Sequence, residues 1–274
     1  MKKFLLTLTV MAAMTGTASA ADLAAKPYTK APPPPVPVAN WTGCYIAGSV
    51  GYGLYDNETN SRFRDPVTGT DFVAGANVDV AGKGWLAGGG GGCDYQFGFG
   101  GGGGIFGTGQ FVIGVLADYY WSDMRGNRPS ILSPFFSAQE KVDSQWAVGG
   151  RIGWLVNPNT LTYFSGGYTE AHLTGTGNFF TPINNTFLGT AIPGRTLQGW
   201  FLGGGVEYQS GWIPNLTWKT EYRVSEYNRT DRFERAIATG LSTNFFSSDR
   251  LITQTVMTSL VYRFNWGGPV VAKY

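Results

Sequence analysis

Charge is scarce in this 274-residue chain: Asp, Glu, Lys and Arg together make 14% of it. A soluble domain ordinarily carries about a quarter. Histidine is nearly absent, with His172 alone, and there are two cysteines, Cys44 and Cys93. Two cysteines so far apart exclude a metal-binding ligand framework and a disulfide-dense scaffold. No arginine- or lysine-rich run occurs and the net charge is +2, so nothing points to a nucleic-acid partner. Long apolar runs are also missing. Beyond the first residues no window offers about 18 apolar residues free of polar breaks, which excludes a membrane-spanning helix from the body of the chain.

What the chain has instead is glycine, 41 residues, and aromatics, 15%. That composition suits a barrel wall, where outward side chains meet lipid and close backbone approach is frequent.

The N-terminus reads as an export signal. Lys2 and Lys3 precede an apolar run from Phe4 to Met14, and Ala18-Ser19-Ala20 forms a small-residue cleavage site, which places the cut after Ala20. Residues 21–39 carry Pro27, Pro32, Pro33, Pro34, Pro35 and Pro37 with few apolar partners, so they read as an extended periplasmic linker. It acts either as a plain tether or as a contact with peptidoglycan or a periplasmic protein. Residues 40–274 form the third region, a barrel domain with a C-terminal tail at 265–274.

From Trp41 onward, apolar and polar residues alternate with period two in segments of about ten residues, the length of a tilted transmembrane strand. Eight are expected: Trp41–Gly53, Trp85–Phe97, Gln110–Asp123, Asp143–Val156, Leu161–Leu173, Leu197–Gln209, Leu216–Tyr227 and Leu251–Phe264. The third is clearest, with Phe111, Ile113, Val115, Ala117, Tyr119 and Trp121 on one face. The fifth alternates poorly and its facing stays open. Connection lengths alternate as outer-membrane barrels require: residues 54–84, 124–142, 174–196 and 228–250 are long and external, whereas Gly98–Gly109, Asn157–Asn159 and Ser210–Pro214 are periplasmic turns. The fold class is therefore all-β, an eight-stranded antiparallel transmembrane β-barrel in the bacterial outer membrane.

The parity facing the lumen collects Asp118, Glu207 and Glu221 against Arg151, Lys219, Arg223 and Arg263. Buried charges must be paired. They form either an ion-pair plug or a selective ion pathway, and size favours the plug, because eight strands leave room only for side chains. Cys44 and Cys93 fall near the periplasmic ends of neighbouring strands on the lipid-facing parity. A cross-strand bridge and two free thiols both remain open.

An acyl-transferring or hydrolytic site would have to use His172, with Glu170 two residues earlier and Ser165 seven away. No serine is placed beside the imidazole, so His172 reads as a solvated residue at a loop edge. The runs Gly88–Gly92 and Gly100–Gly104 lack the Lys-Ser or Lys-Thr of a phosphate-binding loop. No cofactor, metal or catalytic residue is implied. In the fourth external segment Arg229, Asp231, Arg232, Glu234, Arg235, Asp249 and Arg250 suggest a contact with lipopolysaccharide.

Four short motifs carry a family likeness: Asn40-Trp41-Thr42-Gly43-Cys44-Tyr45, Val148-Gly149-Gly150-Arg151-Ile152-Gly153-Trp154, Gly204-Gly205-Val206-Glu207-Tyr208 and Leu260-Val261-Tyr262-Arg263-Phe264. In this order, after a signal and a proline leader, they make the chain resemble the RopB-type outer-membrane proteins of alphaproteobacteria. These are OmpA-like barrels, often described as porin-family or outer-membrane immunogenic proteins. The resemblance implies a role in envelope integrity, surface-exposed loops recognised by hosts or antibodies, and no catalysis. It also implies that Leu260, Tyr262 and Phe264 form the aromatic signal read by the outer-membrane assembly machinery. Ten residues follow Phe264 here, which makes Tyr274 a second candidate for that aromatic. The partners expected are thus outer-membrane lipid, lipopolysaccharide, the assembly machinery and ligands of the loops. The competing reading is a small-solute or ion-conducting porin.

Overall fold

The computed structural model describes residues 40–75, 77–98, 107–181, 183–184, 186–210 and 213–264. The expected signal peptide, linker and C-terminal tail, Tyr274 included, lie outside the described residues.

Eight long strands make the wall: β1 (Gly43–Arg64), β2 (Val78–Gly98), β3 (Gln110–Pro129), β4 (Ser137–Asn157), β5 (Thr160–Leu173), β6 (Arg195–Gln209), β7 (Leu216–Tyr227) and β8 (Ser242–Phe264). Each pairs antiparallel with the next, and β1 pairs with β8 to close the ring. Closure removes the two sheet edges, which is what a sheet needs in order to span a membrane.

All eight expected strands are present, and five run further than the alternation indicated. β1 continues to Arg64, β2 starts at Val78, β3 continues to Pro129, β4 starts at Ser137 and β8 starts at Ser242. The extensions occupy most of what reads in sequence as long external loops. Their cause is physical: above the lipid the outer face meets water, and apolar alternation is no longer demanded. On β1 the outward residues there are Asp56, Glu58 and Asn60, while the inward ones are Asn57, Thr59 and Ser61. Among the described residues five short segments widen this projecting sheet. Phe180–Thr181 pairs with β4 and with Thr186–Phe187. Asp71–Val73 pairs with β1, Thr230–Ala236 pairs with β8, and Thr190–Ala191 pairs with Thr230–Ala236.

The lipid-facing surface carries two aromatic girdles. Tyr52, Trp85, Trp121, Trp146, Tyr168 and Trp200 ring one level, and Tyr95, Phe111, Trp154, Tyr208, Trp218 and Tyr262 the other. On β2 the span from Trp85 to Tyr95 is ten residues. At about 3.3 Å per residue and a tilt of about 40°, that gives an apolar band of about 25 Å, the height such barrels present to the bilayer. The fifth strand's facing is resolved: Phe164 and Tyr168 point outward, whereas Leu161, Tyr163, Ala171 and Leu173 point in.

Trp41 is not the first wall residue. It lies inside the barrel, fully buried with Val112, Leu155 and Leu161, and its carbonyl accepts from Arg263 at 3.2 Å. Gly43, at φ 139°, turns the chain from this floor into β1, a conformation that a side chain would strain. The Trp-Thr-Gly motif is therefore a plug followed by a hinge.

Cys44 and Cys93 stand directly opposite each other on β1 and β2 and are joined in a disulfide. Of the two readings left open by the sequence, the bridge is the one observed.

Candidate functional site

The lumen is the most elaborated part of the molecule, and β3 gives its layering. Its inward positions include Val112, Gly114, Leu116, Asp118, Tyr120, Met124 and Arg128, which pass through the strata in turn.

The lowest ionic layer joins four strands. Arg151 donates from Nε to Asp94 Oδ1 at 2.9 Å, from a terminal nitrogen to Asp94 Oδ2, and from the other to Glu207 Oε2 at 3.1 Å. Arg263 completes the square, reaching Asp94 at 2.6 Å and Glu207 at 2.7 Å. Thr217 adds a hydroxyl to Glu207 at 2.6 Å. The guanidinium planes also lie over rings: Arg151 over Tyr45 and Tyr163, Arg263 over Trp41 and Tyr45.

Above it, Arg223 binds Asp118 with two nitrogens at 2.9 and 2.8 Å and Glu221 at 2.8 Å, with its guanidinium over Phe201. Lys219 Nζ sits 3.8 Å from Glu221, and Tyr163 donates its hydroxyl to the same carboxylate at 2.7 Å. Next comes an apolar stratum in which Tyr55, Leu86, Tyr120, Met124, Leu251 and Met257 pack together. A further ionic square, the mouth square, closes the mouth far from Trp41. Arg128 donates to Glu140 at 3.1 Å and to Asp249 at 2.9 Å, while Arg232 donates to Glu140 and lies 3.4 Å from Asp249.

All seven lumen charges expected from sequence parity are where that parity places them. One was missed. Asp94 shares the inward parity of β2, is buried, and supplies the acid that makes the lowest layer two against two. With it, each of the three layers holds two acids and two bases. The mouth square escaped sequence reading entirely, because Arg128, Glu140 and Arg232 fall in segments without membrane alternation.

Inward glycines are the counterpart of these side chains. A Cβ on Gly114 would lie 2.1 Å from Asp94 Oδ1, and one on Gly92 or Gly205 would lie 2.6 Å from the hydroxyl of Tyr45 or Tyr163. Gly92, Gly114 and Gly205 thus make room for the lumen network.

The fourth external segment needs correction. Arg232 and Glu234 point inward and are buried, so neither faces a surface ligand. Glu234 accepts from Ser130 at 2.8 Å and from the Ile131 amide at 3.1 Å, and Thr190 also donates to it. Arg229 is held by Glu58 at 2.9 Å and the Ser248 carbonyl at 3.1 Å, and Arg235 donates to the Gly240 carbonyl at 3.2 Å. Arg250 pairs with Glu226 on β7.

His172 faces outward beside Thr196, with 3.1 Å between Nδ1 and the hydroxyl. Ser165 points into the lumen and is out of its reach. The serine across the strand pair from His172 is Ser144, whose hydroxyl turns to Asp143 at 3.5 Å. Glu170 is engaged by Trp146, Tyr168 and Gln198 at 3.2, 2.5 and 3.3 Å, so it does not orient the imidazole. Among the described residues no three His, Cys, Asp or Glu side chains converge to hold a metal ion.

Leu260, Tyr262 and Phe264, expected from the resemblance to form an assembly signal, all lie on the outward face of β8, with Tyr262 edge-on to Phe264 at 5.3 Å.

A barrel of eight strands, two aromatic girdles and a filled lumen is the geometry against which known proteins are compared. No protein-family model matches the chain. The 31 kDa outer-membrane immunogenic protein of Brucella melitensis is 25% identical over 261 residues, covering 93% of this chain and 97% of its own. The chain is an outer-membrane β-barrel related to that protein. Solved structures that superpose on it include the outer-membrane protein OprG of Pseudomonas aeruginosa, 11% identical with a TM-score of 0.42 over 83% of this chain and 98% of OprG. The outer-membrane protein AlkL gives 12% identity and a TM-score of 0.37 over 88% and 100%.

Proposed function

We propose that this protein is a non-conducting, non-catalytic surface barrel, which contributes to envelope integrity and presents its projecting sheet and loops for interactions outside the cell. The observation that carries this reading is the stacking of two neutral ionic layers, an apolar layer and a third ionic layer across one lumen. An ion crossing it would have to break charge pairs and then pass Tyr55, Tyr120, Met124 and Met257 without solvation.

In this reading the N-terminal segment is removed on export, the proline-rich linker and the Trp41 floor lie in the periplasm, and the long strand extensions face outward, as their lengths favour. The exposed apolar loop residues Phe72, Phe135, Ile183 and Leu241 suit contacts with host or envelope components, and the Brucella relative's designation as immunogenic agrees with surface display. Leu260, Tyr262 and Phe264 serve as the strand read by the outer-membrane assembly machinery.

The test is single-channel recording of the refolded mature chain in a planar bilayer, with circular dichroism confirming β structure. An electrically silent, folded protein is expected. Steady, reproducible conductance steps would replace this reading with that of a small-solute porin.

A further inference from the structure

The outer face of β2, β3 and β4, just above the Trp85–Trp121 girdle, carries a row of like charge. Lys83 is directly opposite Arg125, and Arg125 is directly opposite Lys141. Cations facing each other across paired strands repel, so such a row is unfavourable on its own. One acid relieves it: Asp123 lies 2.7 Å from Arg125 and 3.0 Å from Lys141. Asp56 stands diagonally from Lys83, opposite Ala81, and Asp143 is bonded by the Ser144 hydroxyl. Elsewhere on this level the cations are matched: Arg250 and Arg229 both have Glu58, and Arg250 also has Glu226.

Immediately above the row is a recess of about 590 Å³, lined by Leu54, Ala81, Lys83, Arg125, Asn127 and Gln139. Ala81 is its low point because neighbouring outward side chains are all longer. The recess therefore offers two cations and two amides around a shallow floor, with Tyr52, Trp85 and Trp121 directly below at the membrane boundary.

We propose that this recess binds the phosphorylated sugar headgroup of an outer-leaflet glycolipid, with Lys83 and Arg125 on the phosphate, Asn127 and Gln139 on the sugar, and the acyl chains descending over the girdle. Charge complementarity selects an anion. Position selects a lipid, since the recess opens where headgroups lie and its lower rim is apolar and aromatic. The assignment rests on the outward orientation of the strand extensions.

The experiment titrates bisphosphorylated lipid A, fluorescently labelled, onto the refolded mature chain in neutral detergent micelles. A cation near such a surface contributes about fivefold in affinity, so the variant K83Q/R125Q/K141Q should bind about a hundredfold more weakly. D123N, which removes the neutralising acid, should bind about fivefold more tightly, and this gain cannot arise from misfolding. Dephosphorylated lipid A should bind the native chain as weakly as the triple variant binds the intact lipid. Unchanged binding by the triple variant, or displacement of the lipid by equimolar inorganic phosphate, would overturn the proposal. A maleimide reporter at N127C in intact cells checks orientation separately. Labelling only after the outer membrane is opened would sink the surface reading while the micelle titration still judged the site.

Discussion

Arg151 on β4 and Asp94 on β2, 57 residues apart in sequence, meet through two nitrogens and two oxygens inside a wall whose intervening strand presents Gly114 at that level. The pair is buried on all sides, and Arg263 leans on the same carboxylate. Removing Asp94 leaves two guanidinium groups sharing Glu207 alone. D94A should therefore lose about 3–5 kcal/mol of unfolding free energy, the range for an orphaned buried charge. Urea unfolding in micelles, followed by tryptophan fluorescence, measures it. A loss below about 1 kcal/mol would show that lumen water compensates the charges.

The glycine between them is a sharper probe. G114V places a side chain against Asp94 and should destabilise by about 1–3 kcal/mol, the range for overpacking. Gly48 faces outward, and a Cβ there meets nothing within 4 Å, so G48A should leave stability unchanged. Heat-modifiable gel migration of the two variants, compared with the native chain, distinguishes packing from loss of glycine as such.

These contrasts show what could be read before the structure was in hand. Where the wall touches lipid, outward residues must be apolar and inward ones small or polar, so parity alone identified seven lumen charges. The same parity held Asp94, but a lone acid among Gly88–Gly92, Tyr95 and Phe97 gives no local sign of its partners on β4 and β8. Above the lipid the rule lapses. Arg128, Glu140, Arg232 and Asp249 converge from 12 to 121 residues apart, and nothing periodic marks them. Trp41 misled because a tryptophan beside a strand start resembles a girdle residue, although here it is the floor.

The mouth square should govern the projecting sheet more than the barrel. R232A removes the tie between Thr230–Ala236 and the mouth, where Arg232 also donates to the Pro193 carbonyl at 3.3 Å. Limited proteolysis is expected to cut the variant within residues 228–241 several-fold faster while leaving heat-modifiability intact. Equal cleavage rates would mean that backbone pairing with β8 suffices.

The apolar stratum predicts how conduction is to be switched on. If it is the seal, Y55A/M124A/M257A should raise bilayer conductance, whereas R151Q/E207Q, which lowers charge and keeps the seal, should stay silent. The opposite ranking would assign the barrier to the ion pairs.

The disulfide closes a loop of 49 residues between neighbouring strands. Its removal in C44A/C93A should cost about 2–4 kcal/mol, mainly through the freer unfolded chain. The urea midpoint of reduced against oxidised protein reads this directly.

β1 and β8 are in register from Cys44 opposite Phe264 up to Phe63 opposite Phe245, and Arg263 reaches back 222 residues to the Trp41 carbonyl. Until the last strand has been made and has reached its place, the first strand therefore has one bare flank along its full height. A chain built this way cannot complete itself in instalments. It stays an open ribbon, sticky edge and all, until a single late event turns the ribbon into a ring.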